Sequence, residues 1–548
     1  MKYTNHVQSH TTPQTEPIPG KAMVKNNAGG FVFEVGDFGQ LERFLILGAE
    51  GGTYYVSEKA LTRDNAKCVE RCLKQDGLRV VQMIVDVSVG GLAPKNDPAV
   101  FALAMALKLG DEKTRAAAKA AVPKVCRTGT HLLHLADAVK AFGGWGKLTT
   151  AAFAEWFAAK SAEDIAYQIT KYTQRDGWSM KDLVSKSHAG RLMKDDRRQA
   201  VLRWATGRSF DAREVKRGDR ITAYPALDRG LLPRVIEGVE KVRAAKTSAE
   251  AAQLVRDYGL AREVVPTQFL NDAAVWEALL HAGAHGMGLT AMIRNLGKMT
   301  SIGLLKPMSD ASKYVIQRLS NEEDIVRQRV HPMQFLLANS VYRAGHGVKG
   351  SLNWTAVGPV ADAVENGFYK AFKAVEPTGL NWSLSLDVSG SMEGAKIEGT
   401  HLSAREASVA MALVTANTEA SHYMMGFSNT YMPLNISARS SLREAMQTVS
   451  RLPFSGTNCS IPMQHALKNK IPVDVFVVYT DNETYAGNEH PVQSLKKYRD
   501  AMGRDAKLIV VGMTSTGFTI ADPKDRGMLD VVGFSADAPA VMSTFAKR

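Results

Sequence analysis

The chain has 548 residues, with 68 Lys and Arg against 55 Asp and Glu, a formal net charge of +13. That length holds at least two domains. The composition is that of an ordinary globular protein, and no apolar run is long enough to span a bilayer. Residues 1–30 are polar, with Pro13, Pro17 and Pro19, and lack the apolar core of a signal peptide, which predicts a flexible segment over 1–24 and a cytoplasmic chain. Cys68, Cys72, Cys126 and Cys459 are few and scattered, as reduced core thiols are.

Residues 25–375 read as a helical domain with very little strand. Asp97-Pro98 opens a helix whose apolar stripe is Val100, Leu103, Ala104 and Leu107, stopped by Gly110. Further helical patterns fall near 131–141, 151–172, 285–298, 310–319 and 332–344. Thr247-Ser-Ala-Glu250 is a capping box for a helix through Tyr258, and Asn271 or Asp272 caps Ala273 to Ala282. Helices recur roughly every twenty residues, so pairs recur at about forty, the length of a HEAT-like α-solenoid unit.

Residues 376–548 alternate short apolar strands with amphipathic helices. Strands are predicted at 382–387, 421–427, 474–480, 507–513 and 530–534, and helices near 402–418, 440–450, 460–469, 491–502 and 538–546. This order implies a doubly wound, mainly parallel sheet covered on both faces, with ligands beyond the carboxyl ends of its strands. Asp387-Val-Ser389-Gly-Ser391 ends the first strand, Ser455-Gly-Thr457 follows a helical stretch, and Asp481 ends the strand Val473 to Thr480. Two carboxylates and three hydroxyls suit a hard divalent cation such as Mg²⁺. Asp-x-Ser-x-Ser alone is also a common self-bonded turn. The full set resembles the metal-ion-dependent adhesion site of von Willebrand factor A domains, with Asp387, Ser389, Ser391, Thr457 and Asp481 at its five positions.

Charge divides unevenly. Between Glu376 and Arg548 there are 16 basic and 17 acidic residues, so residues 1–375 carry +14 of the total. Residues 171–220 alone hold 14 basic and 7 acidic side chains. A basic helical domain beside a near-neutral one points to a polyanion on the first, although basic faces are often only solvated.

Several stretches are more distinctive than any periodicity. They are Phe44-Leu-Ile-Leu-Gly-Ala-Glu-Gly-Gly-Thr-Tyr-Tyr55, Cys126-Arg-Thr-Gly-Thr-His131, Lys171-Tyr-Thr-Gln-Arg-Asp-Gly-Trp-Ser179, Ala291-Met-Ile-Arg-Asn-Leu-Gly-Lys298, and His331-Pro-Met through Tyr342-Arg-Ala-Gly-His-Gly347. Together they resemble the TROVE domain of the Ro autoantigen family, whose members continue into a von Willebrand factor A domain. The resemblance covers roughly residues 25–548. It implies a closed ring of HEAT-like repeats that binds small noncoding Y RNA on its outer surface and takes single-stranded 3′ ends of misfolded RNA in its hole. Bacterial relatives work with the exoribonuclease polynucleotide phosphorylase. The family's Y RNA contacts match Lys171, Arg175 and His188 here, with Lys181 in the same motif. Met180 stands where a His is common, and the tract after His188 lacks the Pro-containing stretch of animal members.

The residues themselves bear on this. Lys171 and Arg175, four apart, are expected to share a helical face toward phosphate. Trp178 is either a base-stacking platform or a core anchor beneath the motif. Arg294, Asn295 and Lys298 share a helix face, and either line the hole or form a buried polar network. Catalysis finds little support: no Gly-x-Ser-x-Gly elbow occurs, and His131-x-x-His134 lacks the spacing of a zinc protease. Gly345-His-Gly347-Val-Lys-Gly350 follows a helix where a dinucleotide fingerprint requires a strand. The rival to an RNA scaffold is a Mg²⁺-dependent protein-interaction module in which RNA plays no part.

Overall fold

The computed structural model describes residues 11–48, 61–217, 220–283, 286–347, 351–372, 375–395, 403–453, 455–533 and 535–548. The second half of the Phe44–Tyr55 stretch, from Ala49 on, and the end of the Gly345–Gly350 motif lie outside them.

Helices run in succession from Asp37–Leu47 to Gly358–Lys370, each packed on near neighbours in sequence. Side-chain caps start many of them: Asp111, Ser161, Thr247, Asp272 and Ser309 each accept a first-turn amide. Glycines in the left-handed region end others, at Gly207, Gly259 and Gly345. Asp97–Leu109 is buried from Pro98 to Leu107 and packs against the helices at Lys67–Gly90, Glu112–Val125 and Gly129–Ala141. A helix apolar all round belongs in an interior, and this one lies between three others.

The series closes on itself. The loop after Lys67–Gly90 meets the start of Pro332–Ala344, about 240 positions later. Buried His331 accepts the Met333 amide at Nδ1 (3.1 Å), which leaves Nε2 to donate to the Leu92 carbonyl (3.1 Å). Gln334 Nε2 donates to the Pro94 carbonyl at 3.3 Å. Helical repeats that touch only their neighbours need such a seam to become a ring.

The C-terminal domain is a six-stranded sheet: β1 Trp382–Asp387, β2 His422–Phe427, β3 Tyr431–Pro433, β4 Val475–Thr480, β5 Lys507–Gly512 and β6 Met528–Val532. Its order is β6-β5-β4-β1-β2-β3, parallel except for edge strand β3. β1 and β4 are buried at every residue, as central strands covered on both faces must be. Val475, Val477, Tyr479, Ile509 and Val511 pack with the helix Ala404–Thr418, in a core continuous with that of the helical domain. Phe476, Val478, Leu508 and Val510 pack on the opposite face with Ile461–Lys468 and Pro491–Met502. The chain leaves β1 toward β2 and β3 and returns on the other side at β4, so the topological switch point lies between β1 and β4.

Residues 12–24 do not form the flexible leader expected for 1–24; with the residues up to 34 they are bound to the sheet domain. Gln14, fully buried, donates to Asn458 Oδ1 (2.7 Å) and the Glu489 carbonyl (2.9 Å) and accepts the Thr484 hydroxyl. Asn26 Nδ2 donates to the Thr484 carbonyl at 2.8 Å. Phe31–Glu34 pairs with Val24–Lys25 and with Phe518–Thr519. At Gly30 a Cβ would stand 1.9 Å from the Thr484 carbonyl oxygen, so only glycine fits. Polar composition suggested a leader because the first half of this strap is held mainly by amides, while its most deeply buried apolar residues, Val32 and Phe33, come only later. Gln14→Ala strands three buried polar partners and is expected to cost about 1–3 kcal/mol in urea unfolding; a loss below the error of that measurement would show that the strap contributes no stability.

Candidate metal centre and nucleic-acid interface

β1 and β4 end side by side, which sets Asp387 and Asp481 at the switch point. Both are buried. Asp387 Oδ1 accepts the Ser389 amide (2.9 Å) and Oδ2 the Thr480 hydroxyl (2.6 Å). Ser389 and Ser391 share a hydroxyl contact of 3.1 Å, and Ser391 hydrogen-bonds Asp481. Thr457 is buried, and its carbonyl accepts the amides of Tyr485 (3.1 Å) and Ala486 (2.9 Å), which laces its loop to the one after Asp481.

Burial, then the charge of Asp481, push the Asp387 carboxyl up to about 7, against the hydrogen bonds from Ser389 and Thr480; burial also raises Asp481. Buried Arg405 is near enough to interact with the charge of Asp387, but its Nη2 donates to the Val388 carbonyl. Two buried carboxylates that repel one another, ringed by hydroxyl oxygens, fit a hard divalent cation. Thr480 and Arg405 were not singled out from sequence; Thr480 directly precedes Asp481, and that adjacency was the available signal.

Lys171 and Arg175 do not share a helical face. The helix Ala162–Lys171 ends at Lys171, and Gln174–Arg175 pairs with Trp178–Ser179 in a tight hairpin. Asp176 and Gly177 both take positive φ, 53° and 76°, which makes Asp-Gly a hairpin turn that outweighs the four-residue spacing. Asp176 Oδ2 accepts from His134 Nδ1 at 2.5 Å, fixing the hairpin to Gly129–Ala141. The hairpin feeds the helix Met180–Ser187, where Ser179 and Asp182 form a capping box. Arg175, Lys181, Lys186 and His188 are exposed on this unit, with His188 in the left-handed region just past the end of the helix. Trp178 is the core anchor: it is 8% exposed, its ring lies 5.6 Å from that of Trp145, and the Lys140 and Lys186 ammonium groups are 5.9 and 5.7 Å from it.

Lys171 instead faces a small cavity that it shares with Arg262 and Asn295, its Nζ 3.0 Å from Tyr167 Oη. Arg262 and Asn295 also line a second cleft, of about 640 Å³, together with Arg294 and Lys298. Arg294 is exposed; Lys298 donates to Asn271 Oδ1 (2.7 Å), and Asn295 Nδ2 to the Ala291 carbonyl (2.7 Å). The six expected RNA contacts therefore fall at two places: Arg175, Lys181 and His188 on the hairpin unit, and Lys171, Arg294 and Lys298 on two cavities linked by Arg262 and Asn295. Arg262 was missed because nothing in the sequence ties it to the helix Leu289–Ser301.

A ring of helices followed by an open sheet with a carboxylate pair at its switch point defines a TROVE and von Willebrand factor A architecture. The TROVE domain family matches residues 24–346, and the Ro60 vWA domain family matches residues 381–546. The chain is 41% identical over 538 residues to the RNA-binding protein RO60 of Deinococcus radiodurans, covering 98% of this chain and 97% of that one. It is 34% identical over 582 residues to the RNA-binding protein RO60 of Caenorhabditis elegans, covering 95% and 90%. The crystal structure of the Deinococcus radiodurans RO (RSR) protein matches with a TM-score of 0.68 at 40% identity, over 93% of this chain and 99% of that one. The chain belongs to the Ro60 family.

Because Trp178 fills core space, Trp178→Ala is expected to cost about 3–5 kcal/mol in chemical unfolding. A cost under about 1 kcal/mol would make it a surface platform.

Proposed function

We propose that this protein is a non-catalytic RNA-binding scaffold of the cytoplasm. The hairpin unit bearing Arg175, Lys181 and His188 binds small structured, Y-like RNA. The clefts lined by Lys171, Arg294 and Lys298 take single-stranded 3′ ends of misfolded RNA, in quality control or processing. The observation that carries this reading is the disposition of charge on the hairpin unit. Its carboxylates are used internally, Asp176 on His134 and Asp182 on the Ser179 cap. Arg175, Lys181 and Lys186 are all exposed there and outnumber these two carboxylates, which leaves the unit with a modest positive charge suited to a phosphate backbone. The names of the Deinococcus and Caenorhabditis relatives support RNA as the polyanion. Among the described residues no helix is long and apolar enough to cross a membrane.

In the A domain, Asp387, Ser389, Ser391, Thr457 and Asp481 would hold Mg²⁺. Bound there, the cation supplies an electrophilic point for a carboxylate of a protein partner, and an exoribonuclease of the polynucleotide phosphorylase type is the partner we propose. Two carboxylates in a hydroxyl-rich shell are fewer than two-metal hydrolysis employs.

RNA that copurifies at mild salt should consist of discrete small structured species, and none enriched on folded protein would defeat the proposal. Affinity for structured RNA should fall with salt at a log–log slope of roughly 0.7–0.9 per neutralised phosphate. Arg175→Ala with Lys181→Ala should reduce that slope by about 1.4–1.8 and spare a bare single strand; equal losses on both ligands would contradict separate surfaces. Mg²⁺ at a hundred times its dissociation constant should stabilise the A domain by about 2.7 kcal/mol. Asp387→Asn should raise the metal-free melting temperature by relieving repulsion and abolish the Mg²⁺ response, leaving RNA affinity unchanged. A mutant still stabilised by Mg²⁺ would place the ion elsewhere.

A further inference from the structure

Three of the five oxygen donors, Asp387, Ser389 and Ser391, come from β1 and the turn that follows it. The other two, Thr457 and Asp481, are carried by separate loops, and the groups that hold those loops come from the far end of the chain. Buried Gln14 lies between them. Its Nε2 donates to Asn458 Oδ1 (2.7 Å), next to Thr457, and to the Glu489 carbonyl (2.9 Å), past the loop 482–487. Its Oε1 accepts the Thr484 hydroxyl from within that second loop, and its backbone amide donates to the Gly487 carbonyl at 3.0 Å. Thr484 Oγ1 also accepts the Cys459 amide (3.1 Å), so one glutamine and one threonine span both loops.

The turn of the strap holds the second loop from another side. Asn26 Nδ2 donates to the carbonyls of Asn482 (3.2 Å) and Thr484 (2.8 Å). Asn26 Oδ1 accepts the Gly30 amide at 2.8 Å, which fixes the side chain that does the holding. Asn482, directly after Asp481, takes a φ of 66°, in the left-handed region that asparagine tolerates best after glycine. Glu483 accepts the Ala28 amide (3.0 Å) and the Asn27 side chain (2.5 Å), while its own amide donates to Asp481 Oδ1 at 3.0 Å. A single residue therefore links the strap to the Asp481 carboxylate.

No strap residue is itself one of the five donors. Resting on the metal reading above, we propose that the strap is the outer support of the metal centre, with Gln14 and Asn26 as positioning residues that hold Thr457 and Asp481 where a divalent cation can use both. Groups that orient ligands in this way govern affinity without touching the ion. A loop left to be ordered at the moment of binding would draw on the binding energy instead. The coupling is reciprocal, so a cation in the site tightens the strap by the same factor by which the strap tightens the cation.

The test titrates the full-length protein with MgCl2 by calorimetry and follows hydrogen exchange of the strap with and without the ion. Gln14→Ala and Asn26→Ala should each weaken Mg²⁺ about ten- to a hundredfold. Lys21→Ala removes the strap's ion pair with Asp522, which lies in neither ligand-bearing loop, and should leave Mg²⁺ affinity unchanged. Saturating Mg²⁺ should slow exchange at the hydrogen-bonded amides of Gln14, Gly30 and Phe31 about tenfold in the unaltered protein. That readout decides the matter even where a variant fails to fold, and strap exchange indifferent to bound Mg²⁺ would overturn the proposal. Folded Gln14→Ala and Asn26→Ala variants with undiminished Mg²⁺ affinity would overturn it while the metal reading stands. Equal weakening by Lys21→Ala would also overturn it, since the strap would then act only through general stability. An unaltered protein that binds no Mg²⁺ would overturn both readings.

Discussion

The Leu92 carbonyl is the point on which the architecture turns. It accepts His331 Nε2 from the far end of the helical series and the Ala536 amide (3.3 Å) from the A domain. A carbonyl has two lone pairs, and here one closes the ring while the other docks the second domain on the closure. His331 can serve because its Nδ1 is engaged by the Met333 amide, which leaves the proton on the nitrogen that faces Leu92. A second tie lies nearby in the fold: Glu365, held by Arg343, accepts the Leu442 amide at 2.8 Å. The apolar core then runs unbroken from the ring into one face of the sheet, so the domains share an interior as well as a border.

Within that frame the two kinds of site are kept apart by chemistry. The ring carries the excess of cations, and its hairpin unit and paired clefts display them. The A domain is close to neutral and concentrates two buried carboxylates where its sheet reverses direction. Phosphate is attracted to the first and repelled by the second, and a divalent cation behaves in the opposite way. On the proposed reading, neither ligand would compete for the other's place.

Much of the A domain was legible because its signals are local. Buried strands of apolar residues and helices with period 3.6 were found within a residue or two, as at Trp382–Asp387 and Pro491–Met502, and the five oxygen donors fell at predicted strand and loop ends. What escaped depends on partners distant in sequence or on turn chemistry. Edge strand Tyr431–Pro433 is too short to show a period, and the hairpin strands Arg213–Arg217 and Arg220–Tyr224 lie in a charged tract that reads as loop. Asp176-Gly177 overrode an apparent helical spacing, and Lys171 came to rest beside Arg262 and Asn295. The helical caps, by contrast, were plain at Thr247 and at Asn271-Asp272, where Asp272 is the cap, since a cap is read from three or four adjacent residues.

The strap has a consequence for how the chain is made. Gln14 finds Asn458 444 positions later, and Phe33 finds its strand partner Thr519 near the other end of the sequence. On the ribosome, the helices emerge and pack long before the residues that anchor the strap exist. Residues 12–34 must therefore wait, paired at most locally between Val24–Lys25 and Phe31–Glu34, until the A domain has been translated. Such long-range pairing is slow to find and exposed while it waits. The helical ring can form early, but the sheet domain is complete only when the strand Phe31–Glu34 is captured by Phe518–Thr519.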